Sequence, residues 1–235
     1  MQPKARILTY HRIGYPRNGK SYEAQTVLPQ RFKSQLQLIR LLGFGCTDMD
    51  TVARWLQGGS LPCKRPIVLS FDDGYRDLYE HAFPLLKREG LSVIIYIVSD
   101  CREDEWRRTE SPLPLQLLDW NQIREMAESG ITFGSHTRTH KNLTRCTPEQ
   151  LRDEVLNSKK IIEDKLSKPV QHFCYPFGAT NDQVVDAVRE AGYITACTTR
   201  TGTVLRGADP LRLPRLTIGK RMGLLKFFKR VTLKG

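Results

Sequence analysis

The chain is 235 residues long, 40% hydrophobic and 26% charged, a globular composition with length for one sizeable core. No apolar run approaches the roughly 20 residues that span a bilayer, and MQPKARILTYHRIG lacks the features of a secretory signal, so without a removed leader the cytoplasm is expected. A formal charge of +12, concentrated near 102–108 and 220–234, suits an anionic glycan intermediate or membrane surface; no nucleic-acid-binding motif accompanies it.

In chain order, a β-like run at Arg6–Tyr10 precedes helical periodicity over Pro29–Leu42 and Thr51–Leu56. Strand Pro66–Phe71 leads to helix Leu78–Glu89, strand Ser92–Val98 to helix Asn121–Glu128, and strand Ile131–Ser135 to helix Pro148–Leu166. Strand Gln171–Tyr175, helix Gln183–Ala191 and strand Ile194–Thr198 complete the alternation. Gly43, Gly90, Gly130 and Gly192 stand where helix C-termini need a left-handed residue, and Thr147 with Gln150 forms a capping-box pattern. Repeated strand–helix units predict parallel strands with helical crossovers, either closed into a barrel or open and doubly wound. In both forms, functional groups gather where strands end.

Asp72 and Asp73 end one strand, with Gly74 behind them to allow a sharp turn. Consecutive strand side chains point to opposite faces, so the two carboxylates cannot share one job. His136 and His140, four apart in GSHTRTH, would share one face of a helical turn. Two histidines and a carboxylate can hold a transition metal with positions left open. The six cysteines (46, 63, 101, 146, 174 and 197) form no C-x-x-C pair and are expected to be free thiols.

SFDDGY, SHTRTH and CYPFG resemble successive motifs of the polysaccharide deacetylases, the NodB-homology or carbohydrate esterase family 4 proteins. LLDWNQIREMAESGITFGSHT is similar to that family's approach to its histidine motif, and the resemblance runs from about Ala5 to Ile218. It implies a distorted (β/α)7 barrel and metal-dependent removal of acetyl groups from N-acetylated sugars. By position, Asp73, His136 and His140 would bind the metal (zinc, with cobalt or nickel as alternatives) and Asp72 would be the general base. The backbone N–H of Phe177 would serve the oxyanion.

Two departures stand out. Cys174 replaces the arginine that usually tethers the base, and LRLPRLTIG lacks the late histidine that usually supplies the general acid. ILTYHRIG, with His11 at the end of the first strand, resembles the branch that deacetylates poly-N-acetylglucosamine, where the acid histidine comes first. Arg215 is a candidate replacement tether, and Tyr175 and Trp120 are candidate sugar contacts. His81 and His172 receive no role. An O-acetyl esterase or other amide hydrolase on the same fold, and a non-catalytic carbohydrate-binding barrel, are the competing readings. A cytoplasmic location would favour a lipid-linked sugar, a glycan precursor or a short oligosaccharide as substrate.

The domain is expected to span 1–219, followed by a basic amphipathic helix over 220–235. Leu224, Leu225, Phe227, Phe228 and Val231 share one helical arc opposite Lys226, Lys229 and Arg230. That arc fits either packing on the barrel or peripheral binding to an anionic membrane.

Overall fold

The computed structural model describes residues 3–15, 24–100 and 116–233. Seven parallel strands close on themselves: β1 (Lys4–Tyr10) pairs β5 (Pro66–Phe71), and β5 pairs β6 (Val93–Ile97). The ring continues through β7 (Thr132–Ser135), β8 (His172–Cys174), β9 (Thr195–Thr201) and β11 (Leu213–Thr217). β11 returns to β1 with Leu8 opposite Leu216 and Thr9 opposite Thr217. Of the two topologies left open by the alternation, the closed barrel is the one formed.

Four shorter strands are peripheral. β2 (Arg12–Ile13) and β3 (Thr26–Val27) pair with each other, β4 (Gly45–Cys46) lies beside β5, and β10 (Val204–Leu205) runs antiparallel to β1. The helices are α1 (Pro29–Leu41), α2 (Met49–Leu56), α3 (Phe83–Glu89), α4 (Trp120–Glu128), α5 (Pro148–Arg152), α6 (Ser158–Leu166), α7 (Asp182–Glu190) and α8 (Leu224–Leu233). A π turn, Leu78–Ala82, leads into α3, and another, Asp153–Asn157, joins α5 to α6. Thr147 and Asp119 make capping boxes with Gln150 and Gln122. No helix among the described residues is long and apolar enough to cross a membrane.

Alternation along each strand splits the core in two. Ile67, Leu69, Phe71, Ile95, Phe173 and Leu216 face the helical layer. Ile7, Val68, Ile94, Tyr96, Cys174, Cys197 and Leu213 face the barrel interior, where Met49, Val52 and Trp55 of α2 pack against them. Gly134 on β7 is required here, since a Cβ would lie 2.6 Å from the Tyr96 ring. β11 has no counterpart among the strands expected from the sequence. Pro214 and Arg215 interrupt its apolar pattern, yet Leu213–Thr217 completes the barrel.

Candidate active site

The inward parity that fills the barrel with Val68 and Ser70 carries Asp72 to its C-terminal mouth. The same parity extends Ile7 and Thr9 to His11, and it places Cys174 and Arg215 inside. Asp72 is 3% exposed, and its carboxylate accepts two hydrogen bonds from Arg215, each 2.7 Å long. Arg215 also donates to Thr198 O at 3.0 Å, to Ser70 Oγ at 3.3 Å and to Cys174 Sγ at 3.1 Å. Burial alone would raise the Asp72 pKa, but the charge and hydrogen bonds of Arg215 outweigh it and hold the carboxyl below its ordinary value. The arginine absent from the β8 motif is thus supplied by β11.

After Asp72 the backbone turns at once, with φ of 73° at Asp73 and 75° at Gly74. The turn carries the Asp73 carboxylate away from its neighbour toward the two histidines. Asp73 Oδ1 lies 3.4 Å from His136 Nε2 and 3.5 Å from His140 Nε2. His136 and His140 do not share a helical turn, as their spacing suggested. They lie on an irregular loop with positive φ at Thr137 and His140, which brings the rings to a centroid separation of 4.9 Å. Glu154, buried on the second π turn, pins that loop by accepting from Thr139 N at 2.8 Å and from the Thr139 hydroxyl.

This group fits a metal. Nδ1 of His136 meets the Cys174 carbonyl at 2.7 Å, and because a carbonyl only accepts, that nitrogen carries the proton. With Nδ1 committed to that carbonyl, Nε2 is the nitrogen on the side of the Asp73 carboxylate. Burial opposes the charged ring, but as imidazolium it donates to Asp73, which helps raise the His136 pKa; on losing that proton it offers a lone pair to a cation bound there. Tetrahedral zinc at roughly 2.0–2.1 Å from its ligands sets donors about 3.3–3.4 Å apart, close to the separations of Asp73 from each histidine. Asp73 is buried, which opposes ionisation, but the His136 hydrogen bond and the charges of His11 and His140 keep its pKa well below the ordinary value. A second grouping, Asp72, His136 and Cys174, suits a cation poorly. Arg215 already occupies its carboxylate, and burial pushes the Cys174 thiol up, keeping it protonated.

His11 Nε2 approaches Asp72 Oδ2 at 4.0 Å, and its buried Nδ1 has no hydrogen-bond partner among the described residues. Phe177, with φ of 60°, is 55% exposed and sets its ring 4.9 Å from that of His140. In its turn, Gly178 N and Ala179 N bond back to the carbonyls of Tyr175 and Pro176. Tyr175 is a correction: it is fully buried and donates its hydroxyl to Leu211 O at 2.9 Å, so its side chain cannot contact a substrate. The parity that turns Cys174 inward turns Tyr175 out beneath the helices. Trp120, in the first turn of α4, is partly buried against the main core. Five cysteines are free, and Cys101, like the basic stretch at 102–108, lies outside the described residues.

A closed parallel barrel carrying two histidines and an aspartate beside an arginine-held aspartate defines a metal-dependent hydrolase. A family model described as polysaccharide deacetylase matches residues 60–196, more than half of the chain. The chain belongs to the polysaccharide deacetylase family. It is an enzyme, a carbohydrate N-deacetylase of a metal-dependent family. The poly-beta-1,6-N-acetyl-D-glucosamine N-deacetylase of Staphylococcus epidermidis is 25% identical over 233 residues, covering 91% of this chain and 78% of that protein. The solved Streptococcus pyogenes deacetylase PplD, in complex with acetate, superposes with a TM-score of 0.85 at 26% identity, over 98% of this chain and 99% of that one. IcaB from Ammonifex degensii shares the fold, with a TM-score of 0.81 at 18% identity over 97% and 96% of the two chains. Neither an esterase nor a non-catalytic barrel is favoured by these findings.

Proposed function

We propose that the chain removes the acetyl group from an N-acetylglucosamine-type unit of a glycan, an oligosaccharide or a lipid-linked precursor, with zinc as its metal. One observation carries this reading: the Asp73, His136 and His140 group adjoins an Asp72 held by Arg215, with His11 4.0 Å from that carboxylate. The relative acting on poly-N-acetylglucosamine supports the sugar, and the acetate complex of PplD is consistent with an acetyl product.

Asp73, His136 and His140 would hold the ion. When bound, zinc supplies Lewis acidity toward the acetyl carbonyl and can bring the pKa of water from 15.7 to about 7. Asp72 accepts the proton of the attacking water, and Arg215 fixes the direction of its lone pairs. As the carbonyl carbon becomes tetrahedral, the Phe177 N–H donates to the developing oxyanion, a contact worth roughly 10²–10³ in rate. His11 then gives a proton to the departing amine, which could not leave as an anion.

The test is zinc content of the purified protein, followed by acetate release from N-acetylated oligosaccharides with and without chelator. Stoichiometric zinc and chelator-sensitive acetate release are expected. Acetate release that persists in His140→Ala after chelation would overturn the metal assignment.

A further inference from the structure

The C-terminal helix α8 divides its apolar residues between two directions. Phe227 and Val231 are fully buried, Arg6 donates to Val231 O at 2.6 Å, and the helix packs against α1. Leu224, Leu225, Phe228 and Leu233 instead remain 46%, 69%, 37% and 71% exposed. Only eight large hydrophobics are exposed among the described residues, so half of them sit on this one ten-residue helix. Such a concentration exceeds the scattered exposure ordinary on a surface.

The charge around this face has one sign. From Ile218 to Gly235 the chain has no acidic residue, while Lys220, Arg221, Lys226, Lys229, Arg230 and Lys234 are basic. At about 100° per residue, Leu224, Phe228 and Leu225 form the outward arc, and Lys229, Leu233 and Lys226 continue its edge. Exposed Lys226 and Lys229 thus flank the apolar strip rather than lying behind it. A second copy of this chain would meet the basic strip with an equally basic one. A bilayer of anionic lipid satisfies both features at once: acyl boundary for the leucines and phenylalanine, headgroup charge for the lysines.

We propose that the outward face of α8, centred on Leu225 and Phe228 and rimmed by Lys226 and Lys229, docks the protein on an anionic lipid bilayer. The buried pair Phe227 and Val231 fixes the helix to the barrel, so the enzyme is carried as one body. β11 ends at Thr217 opposite Thr9, two residues before His11, and α8 then runs back along the barrel to Val231, which meets Arg6 near the start of β1, so the outward face of α8 lies on the barrel's flank. The proposal names the surface behind the membrane partner suggested above, and its test reads binding alone, independently of the deacetylase reading.

Cutting the chain after Gly219 would strip Phe227 and Val231 from the core, so exposed positions are the ones to change. The full chain is sedimented with phosphatidylglycerol vesicles and with phosphatidylcholine vesicles, at low and high salt. Binding to the anionic vesicles alone, lost at high salt, is expected. Leu225→Ser with Phe228→Ser should weaken it at least about tenfold, and Lys226→Glu with Lys229→Glu on the order of 100-fold. Unchanged thermal unfolding would show that both variants fold. No binding to phosphatidylglycerol at low salt overturns the proposal, as does wild-type binding by both variants. Self-association that both variants abolish, without vesicle binding, would make the face a contact between copies and overturn it equally.

Discussion

At the scale of single residues, the site separates roles by direction. His11, Asp72, Cys174 and Arg215 share the inward parity of their strands, whereas Asp73 is brought in by a left-handed backbone. In the proposed mechanism His11, 4.0 Å from the Asp72 carboxylate, protonates the departing amine. His11→Ala should depress hydrolysis of an N-acetyl sugar by roughly 10²–10⁴ while sparing an activated acetate ester far more; equal losses would leave it no acid role. Asp77 is a different case. It pairs with Arg12 at 2.7 Å, yet burial, opposed by Arg12, pushes its pKa up from 3.8 to about 6. The folded state therefore holds this proton more tightly than the unfolded chain. Its contribution to stability is full below pH 3.8 and is lost as pH rises to about 6. Asp77→Asn should remove that slope, so its stability relative to the parent should rise between acid and neutral pH by up to about 3 kcal/mol. Urea unfolding at several pH values measures this, and a pH-independent difference would count against it.

At the scale of elements, legibility followed pattern. Strands Arg6–Tyr10 and Pro66–Phe71 were plain because buried apolar runs end at turn residues, and both occur nearly as read. β11 was not, because its inward residue is a charge whose partner, Asp72, lies 143 positions away. Tyr175 could have been excluded from the site by alternation alone, since Cys174 faces the interior. The histidine spacing located a loop rather than a helix; Glu154, which holds Thr139 between the two histidines, lies in an irregular turn that helical periodicity does not reveal. Glu154→Gln leaves the size unchanged but puts a donor where two donors from Thr139 now converge. It should weaken zinc binding about 10–100-fold, read by chelator competition, with little change in thermal unfolding. Unchanged affinity would confine Glu154 to a structural part.

At the scale of the whole molecule, the two ends of the barrel carry different burdens. The C-terminal mouth holds strained backbone at Asp73, Thr137, His140 and Phe177, with buried charge beneath it at Arg215. Such features cost stability, of order 1–3 kcal/mol for each strained residue, and something elsewhere has to offset them. The other end is where that can happen without touching chemistry. There α2, capped by Asp48 on Thr51 N at 2.6 Å, sets Met49, Val52 and Trp55 against the barrel's inner side chains. Trp55 is 1% exposed, and the Arg206 guanidinium lies 5.7 Å from its ring. His172, for which the sequence suggested no role, ties β8 to this helix through Asp50 Oδ1 at 3.1 Å. Trp55→Ala should therefore cost about 3–5 kcal/mol in urea unfolding, while zinc content and turnover measured well below the melting temperature stay close to the parent. A variant that keeps its stability would show that α2 does not close the barrel. One that loses zinc while still folded would show that the two ends are coupled, and the division of labour would fail.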